Sequence, residues 1–235
     1  MPSSSPILES VLDTPRSQLS FAYQALRADI LAGRHVPGQK LKVQDIAAKL
    51  KVSPGAVREA LSRLVPEQLV VFRDQRGFHV APLSIADLND LTDLRCEIVA
   101  VALRRSVEHG DVNWEAQVVA AAHRLRAKPS PKLGTGEVDA EWMASHADFH
   151  AALISACGSP RLLALHDQLF EQSERYRSLL AYLKTKRHVA DEHQELADFA
   201  LVRDIENLVS ASIAHIRRTS DAIIAAARKG TLLAA

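Results

Sequence analysis

Between Gln39 and Val80 the chain reads QKLKVQDIAAKLKVSPGAVREALSRLVPEQLVVFRDQRGFHV, and this stretch restricts the possible folds more than any other. Ile46, Ala47 and Leu50 fall three and four residues apart, as one face of a short helix requires, and Val57, Leu61 and Leu64 repeat the pattern after a break at Lys51 to Ser53. Ser53 suits an N-cap and Pro54 the first helical position, so the second helix starts there and stops before Pro66. Leu69 to Phe72 and Phe78 to Val80 read as strands around a turn at Asp74 to Gly77, with Arg73 and Arg76 adding charge. Two amphipathic helices sharing a core, followed by a basic ribbon, make a winged helix-turn-helix, and duplex DNA is the partner it suggests. The outward face of the second helix carries Gly55, Arg58, Glu59 and Ser62; at Gly55 no side chain keeps a phosphate from the N–H groups of the first turn, and Arg58 can neutralise another.

Charge is distributed as this reading requires. The net charge is only +1, but residues 1–82 hold 11 Lys or Arg against 7 Asp or Glu, leaving 18 against 21 for the remainder. Four net positive charges on one copy bind DNA weakly at physiological salt, so a homodimer bridging two half-sites is expected. With 235 residues and 47% apolar content, the chain can bury two cores. The expected organisation is an N-terminal arm at 1–18, a winged domain at 19–82 and a helical domain at 83–231. Cys96 and Cys157 sit within apolar helical patterns and read as buried small hydrophobes. No apolar run reaches membrane-spanning length, and MPSSSPILESVLDTPRSQ lacks the pattern of a secretory leader, so a cytoplasmic protein is expected.

The run from Tyr23 through Pro82, with LRADILAGRHVPGQKL, IAAKLKVS, VREALSRL and RGFHVAPLS, resembles the DNA-binding domain of the GntR family of bacterial transcription regulators. The resemblance implies DNA contacts at Gln44, Ser53, Pro54, Gly55, Ala56 and Arg58, with the wing tip at Arg76 and Gly77. Ser53, Arg58 and Gly77 match the family pattern. Pro54 and Gly55 stand where Arg-Thr is common, and Gln44 stands where a charged residue is common, so a bidentate Arg is missing from the head of the recognition helix and a different operator sequence is expected.

From Leu83 onward the chain reads as helix throughout. Leu88, Leu91, Leu94, Ile98, Val101 and Ala102 recur at helical spacing behind a Ser84 cap, and further helices are expected near 112–127, 138–157, 160–184, 188–202 and 204–229, with a flexible loop at 127–137. The fold class is mainly α, a winged helix-turn-helix followed by an all-α antiparallel bundle, an architecture that builds polar sites from side chains on facing helices.

His146 and His150, four residues apart, stand above one another on one helix face, a spacing at which two imidazoles can hold one metal ion. HADFHAALISACGSPRL, DEHQEL and SIAHI resemble the metal-binding effector domain of the FadR-type branch of the GntR family, whose pattern is an Asp, a His four residues later, and one His on each of the last two helices. The resemblance makes His150, His193 and His215 ligands of a divalent ion, with His146 replacing the Asp. An anionic oxygen is thereby exchanged for a neutral nitrogen, which favours zinc or nickel over manganese and raises the formal charge of the loaded site, strengthening capture of an anion. Four histidines close a tetrahedral sphere, whereas a five- or six-coordinate ion leaves room for a carboxylate; the residues leave both open.

Resemblance also places Arg95 facing the cavity, where its guanidinium would clamp a carboxylate; the competing reading is a surface ion pair with Asp93 or Asp87. Val99 replaces a common family Glu, and Trp142 and Met143 either line the pocket or pack the core. The combined expectation is a dimeric regulator, in the usual sign a repressor, that binds operator DNA and answers to a small organic acid. A metal sensor without organic ligand is the alternative. A metalloenzyme is disfavoured, because neither His146 nor His150 has an adjacent Glu to act as general base.

Overall fold

The computed structural model describes residues 17–128, 139–177 and 189–228. They divide into two compact units: residues up to Ile30 with His35–Ala81, and Leu31–Arg34 with the residues from Pro82 onward. Of the expected N-terminal arm, only Ser17 and Gln18 fall within the described residues, and Gln18 already begins a helix. The loop expected at 127–137 lies outside them from residue 129, as does the end of the helix expected to run to 184.

The first unit holds α1 (Gln18–Leu31), α2 (Val43–Leu50), α3 (Pro54–Leu64), β1 (Val70–Arg73) and β2 (Gly77–Val80). Ile46 and Ala47 of α2 meet Val57, Ala60, Leu61 and Leu64 of α3 in a shared core, the apolar faces that the spacing announces. Lys51 takes the left-handed conformation that ends α2, and Ser53 caps α3 by accepting the Ala56 N–H at 3.2 Å. The N–H of Ser53 donates to Gln18 Oε1 at 2.9 Å, so α1 fixes the point where α3 starts. Tyr23 and Arg27 of the same helix both donate to Glu67, behind α3. The ribbon is antiparallel, with Phe72 opposite Phe78 and Arg73 opposite Gly77, and positive φ at Gln75 and Gly77 closes the turn. Leu41 N–H donates to the Phe78 carbonyl and Lys40 bridges His79, so residues 39–41 run as a short third edge beside β2 before entering α2.

The second unit is helical in all its described elements: α4 (Ile85–His109), α5 (Val112–Arg126), α6 (Ala140–Ile154), α7 (Pro160–Arg177), α8 (Val189–Leu201) and α9 (Ile205–Arg228). Side-chain oxygens of Ser84, Asp111 and Asp139 cap α4, α5 and α6, which is why these helices begin where they do. α4 packs along α9 and α7, and α5 packs against α6 and α8. The main core joins Val99, Leu103, Trp114, Val118, Phe149, Leu153, Leu196 and Leu208, and Met143 packs against it. A separate cluster of Leu83, Leu88, Leu91, Leu169, Tyr176 and Ile223 ties the start of α4 to α7 and α9. At its edge the Tyr176 hydroxyl accepts the Ser84 N–H at 3.2 Å and donates to the Asp87 carboxylate. Among the described residues no helix is long and apolar enough to cross a membrane. Cys96 and Cys157 are buried and unbridged.

Candidate functional site

Each unit holds one candidate site. In the first, Gln44, Ser53, Pro54, Gly55, Arg58 and Arg76 are exposed, and Ala56 and Gly77 are half-exposed. A Cβ built on Gly55 would meet only Ser53 Oγ, at 4.0 Å, so the fold does not require glycine here and the bare backbone is a property of the outward face. Glu59 is engaged by Arg63 at 2.9 Å, one turn along α3. Arg58 and Arg76 have no carboxylate partner among the described residues, and both line an open groove of about 820 Å³ between α3 and the ribbon. Cations left uncompensated along a concave strip are what a phosphate backbone needs.

In the second unit the structure brings His146 and His150 of α6, His193 of α8 and His215 of α9 together, each offering one ring nitrogen within 4.8 Å of the others. The Nε2 atoms of His146 and His150 are 3.1 Å apart. Burial, with the charge of Arg177 adding to it, holds His146 well below the ordinary imidazole range. Burial, with His215 and His193 nearby, does the same for His150. Both are therefore neutral near pH 7, with lone pairs available to a cation. Glu192 Oε2 lies 2.8 Å from His215 Nδ1; the imidazole donates there, which turns the Nε2 lone pair toward the cluster. Arg218 holds the other oxygen of Glu192 at 3.4 Å. A tetrahedral zinc with nitrogen ligands separates them by about 3.4 Å, so the donor set fits a divalent ion after a small contraction of the rings. His146 Nδ1 is buried without a hydrogen-bond partner, so this ring is oriented by packing: Trp142 stacks on it at 4.7 Å and 18°.

A cavity of about 30 Å³ adjoins the cluster, lined among others by Arg95, His146, His150, Glu174, Arg177 and His215. Arg177 grips Glu174 through both carboxylate oxygens and lies over the Trp142 ring, 4.9 Å from its centroid. Arg95 lies over Phe170 at 5.3 Å, its Nε is buried without an acceptor, and burial lowers its pKa to about 10 despite the nearby charge of Glu174. The surface ion pair considered for Arg95 does not form: Asp93 pairs with Arg217 at 2.9 Å and Asp87 with Tyr176. Trp142 belongs to the buried core and reaches the site only through its stacking on His146, and Met143 packs against the same core. Sequence reading misses Gln18, Glu174, Arg177 and Glu192. For Glu192 the local sign is its position directly before His193.

Comparison with known proteins agrees with both halves. Residues 19–80 match the family model described as bacterial regulatory proteins, gntR family, and residues 90–218 match the FCD domain. The HTH-type transcriptional regulator BphR of Paraburkholderia xenovorans strain LB400 is 42% identical over 203 residues, covering 86% of this chain and 83% of the relative. The HTH-type transcriptional repressor GlaR of Escherichia coli K12 is 33% identical over 187 residues, covering 77% and 84%. A GntR transcriptional regulator from Rhodococcus sp. RHA1 shares the fold with a TM-score of 0.72 at 21% identity, over 89% of this chain and 99% of that one. The chain belongs to the GntR family of DNA-binding transcription regulators, in the group whose helical half is an FCD domain, and it is not an enzyme.

Proposed function

We propose that the protein is a homodimeric repressor released from its operator by a small carboxylic acid. In this reading residues 19–82 hold duplex DNA through Gln44, Ser53, Pro54, Gly55, Ala56, Arg58, Arg76 and Gly77. Residues 83–231 pair two copies and bind the acid beside a divalent ion, zinc or nickel by preference, held by His146, His150, His193 and His215. The observation that carries it is the convergence of four imidazoles next to Arg95, a buried cation whose Nε has no acceptor and which forms no carboxylate ion pair among the described residues. A desolvated guanidinium whose neighbouring anion, Glu174, is already engaged by Arg177 is costly, and an acid that supplies a second anion is bound accordingly. A relative named as a repressor supports the sign.

The bound ion would supply positive charge to a ligand carboxylate. The chain's own groups do the rest. Arg95 orients the acid, Glu174 holds Arg177 in place, and Phe170 and Trp142 pack against the imidazole rings. At about 30 Å³ the cavity admits little more than a water molecule, so an acid of several carbons enters only when lining side chains on α4, α6, α7 and α9 give way. That mismatch gives the acid a preference for one arrangement of the helices over another, which is the requirement for coupling to DNA.

The test is duplex binding by the zinc-loaded protein, using the DNA upstream of its own coding sequence and a panel of short mono- and dicarboxylic acids. One acid should weaken binding about ten-fold or more, and only with metal present. A response to zinc alone, indifferent to every acid, would make the protein a metal sensor; no response to either would overturn the proposal. A second expectation concerns Glu192. Glu192→Gln removes the anion that orients His215, and zinc affinity measured against a competing chelator should fall about 10- to 100-fold.

A further inference from the structure

Where the described residues show an N-cap in full, Ser53, Ser84, Asp111 and Asp139 each turn a side-chain oxygen onto the first-turn N–H groups of their helix. α2 departs from this. Its N-cap is Lys42, which makes no side-chain cap bond and sets an ammonium at the positive end of the helix. Both effects destabilise α2. Its contact with Asp45, at 3.8 Å between side chains 66% and 71% exposed, is too solvated to offset them. Lys42 leaves the short edge that pairs with β2 and lies on the same open groove as Lys40, Arg58 and Arg76.

We infer that Lys42 is a phosphate-contacting residue: its ammonium, and not the helix N–H groups, neutralises the DNA backbone at the end of the groove nearest α2, and the missing cap is the cost of placing it there. The inference rests on the groove facing DNA and adds a contact that none of the residues assigned above supplies. A phosphate contact carries no sequence information, so the effect is the same on any duplex. This permits a test without knowledge of the operator.

The experiment measures binding of the full-length protein to a random-sequence duplex of about 30 base pairs, by fluorescence anisotropy over a salt series, alongside thermal melting. Lys42→Ser should weaken binding about three- to ten-fold and reduce the slope of log affinity against log salt by about 0.9 per subunit. It should also raise Tm by about 2–4 °C, because serine restores the cap. Lys49→Ser removes the same charge from the far end of α2, away from the groove, and should leave the salt slope unchanged. Opposite signs for stability and affinity are the signature, since a merely structural lysine would lower both. An unchanged slope in Lys42→Ser, an equal loss in Lys49→Ser, or a fall in Tm overturns the inference. Wild-type protein whose duplex binding shows no dependence on salt overturns the DNA-facing reading of the groove as well.

Discussion

Protein purified with zinc is expected to carry about one ion per chain, and the His150→Ala, His193→Ala double variant close to none. The two substitutions take one ligand from α6 and the cluster's member on α8, leaving His146 and His215 on opposite sides of the cluster with centroids 6.2 Å apart. Two imidazoles at that separation hold a divalent ion orders of magnitude more weakly than four. The effect extends to stability, because an ion that binds the folded state alone adds about 2.7 kcal/mol when present at a hundred times its dissociation constant. A chelator should therefore lower the Tm of the wild type and leave that of the double variant unmoved. Alanine also opens space beside Phe149 and Phe170, so His150→Asn, His193→Asn, which keeps more of the volume, serves as the companion. Wild-type zinc content in a folded double variant would place the ion elsewhere in the chain and remove the histidine centre.

Arg58→Ala is the second large effect. Arg58 projects from the exposed face of α3 without a carboxylate partner among the described residues, so its removal takes nothing from the fold beyond one solvated side chain. If it meets DNA, each subunit loses a charge-assisted contact. The expected result is about a ten-fold loss of affinity per subunit, compounding to about a hundred-fold for a dimer engaged at two half-sites, with Tm nearly unchanged. A gel shift or anisotropy titration at fixed salt reads it directly. Unchanged affinity would strike Arg58 from the contact surface.

The helix pair, the ribbon and the long helices are legible because each rests on a local signal. Ser53 with Pro54, and Ser84, mark helix starts, and Val57, Leu61 and Leu64 mark a face. α1 gives a fainter one, since its buried stripe is Ala22, Leu26 and Ile30, one residue per turn and one of them alanine. Its contribution through Gln18 and Tyr23 joins residues 35 and 44 positions apart, which no window of sequence displays. The candidate site divides in the same way. The His146 and His150 pair follows from helical geometry, whereas the approach of His193 and His215 depends on how α6, α8 and α9 pack, and only resemblance to a known family anticipates it. Glu192, Glu174 and Arg177 are invisible beforehand because their roles are set by partners or neighbours on other helices or across a turn of α7. Arg95 shows the converse: two nearby carboxylates suggested a surface pair, but α9 and α7 claim both.

The phenol of Tyr176 reaches back 92 residues to the backbone of Ser84. Anyone dissecting the protein by limited proteolysis or truncation meets the result at once. A fragment that begins at Pro82 but ends ahead of α7 retains the serine cap of α4 and forfeits the hydroxyl that accepts its amide, so its opening turn would fray, and amide exchange at Ser84 would quicken. Any excised C-terminal half must therefore extend through Tyr176 if its leading edge is to match that of the intact chain.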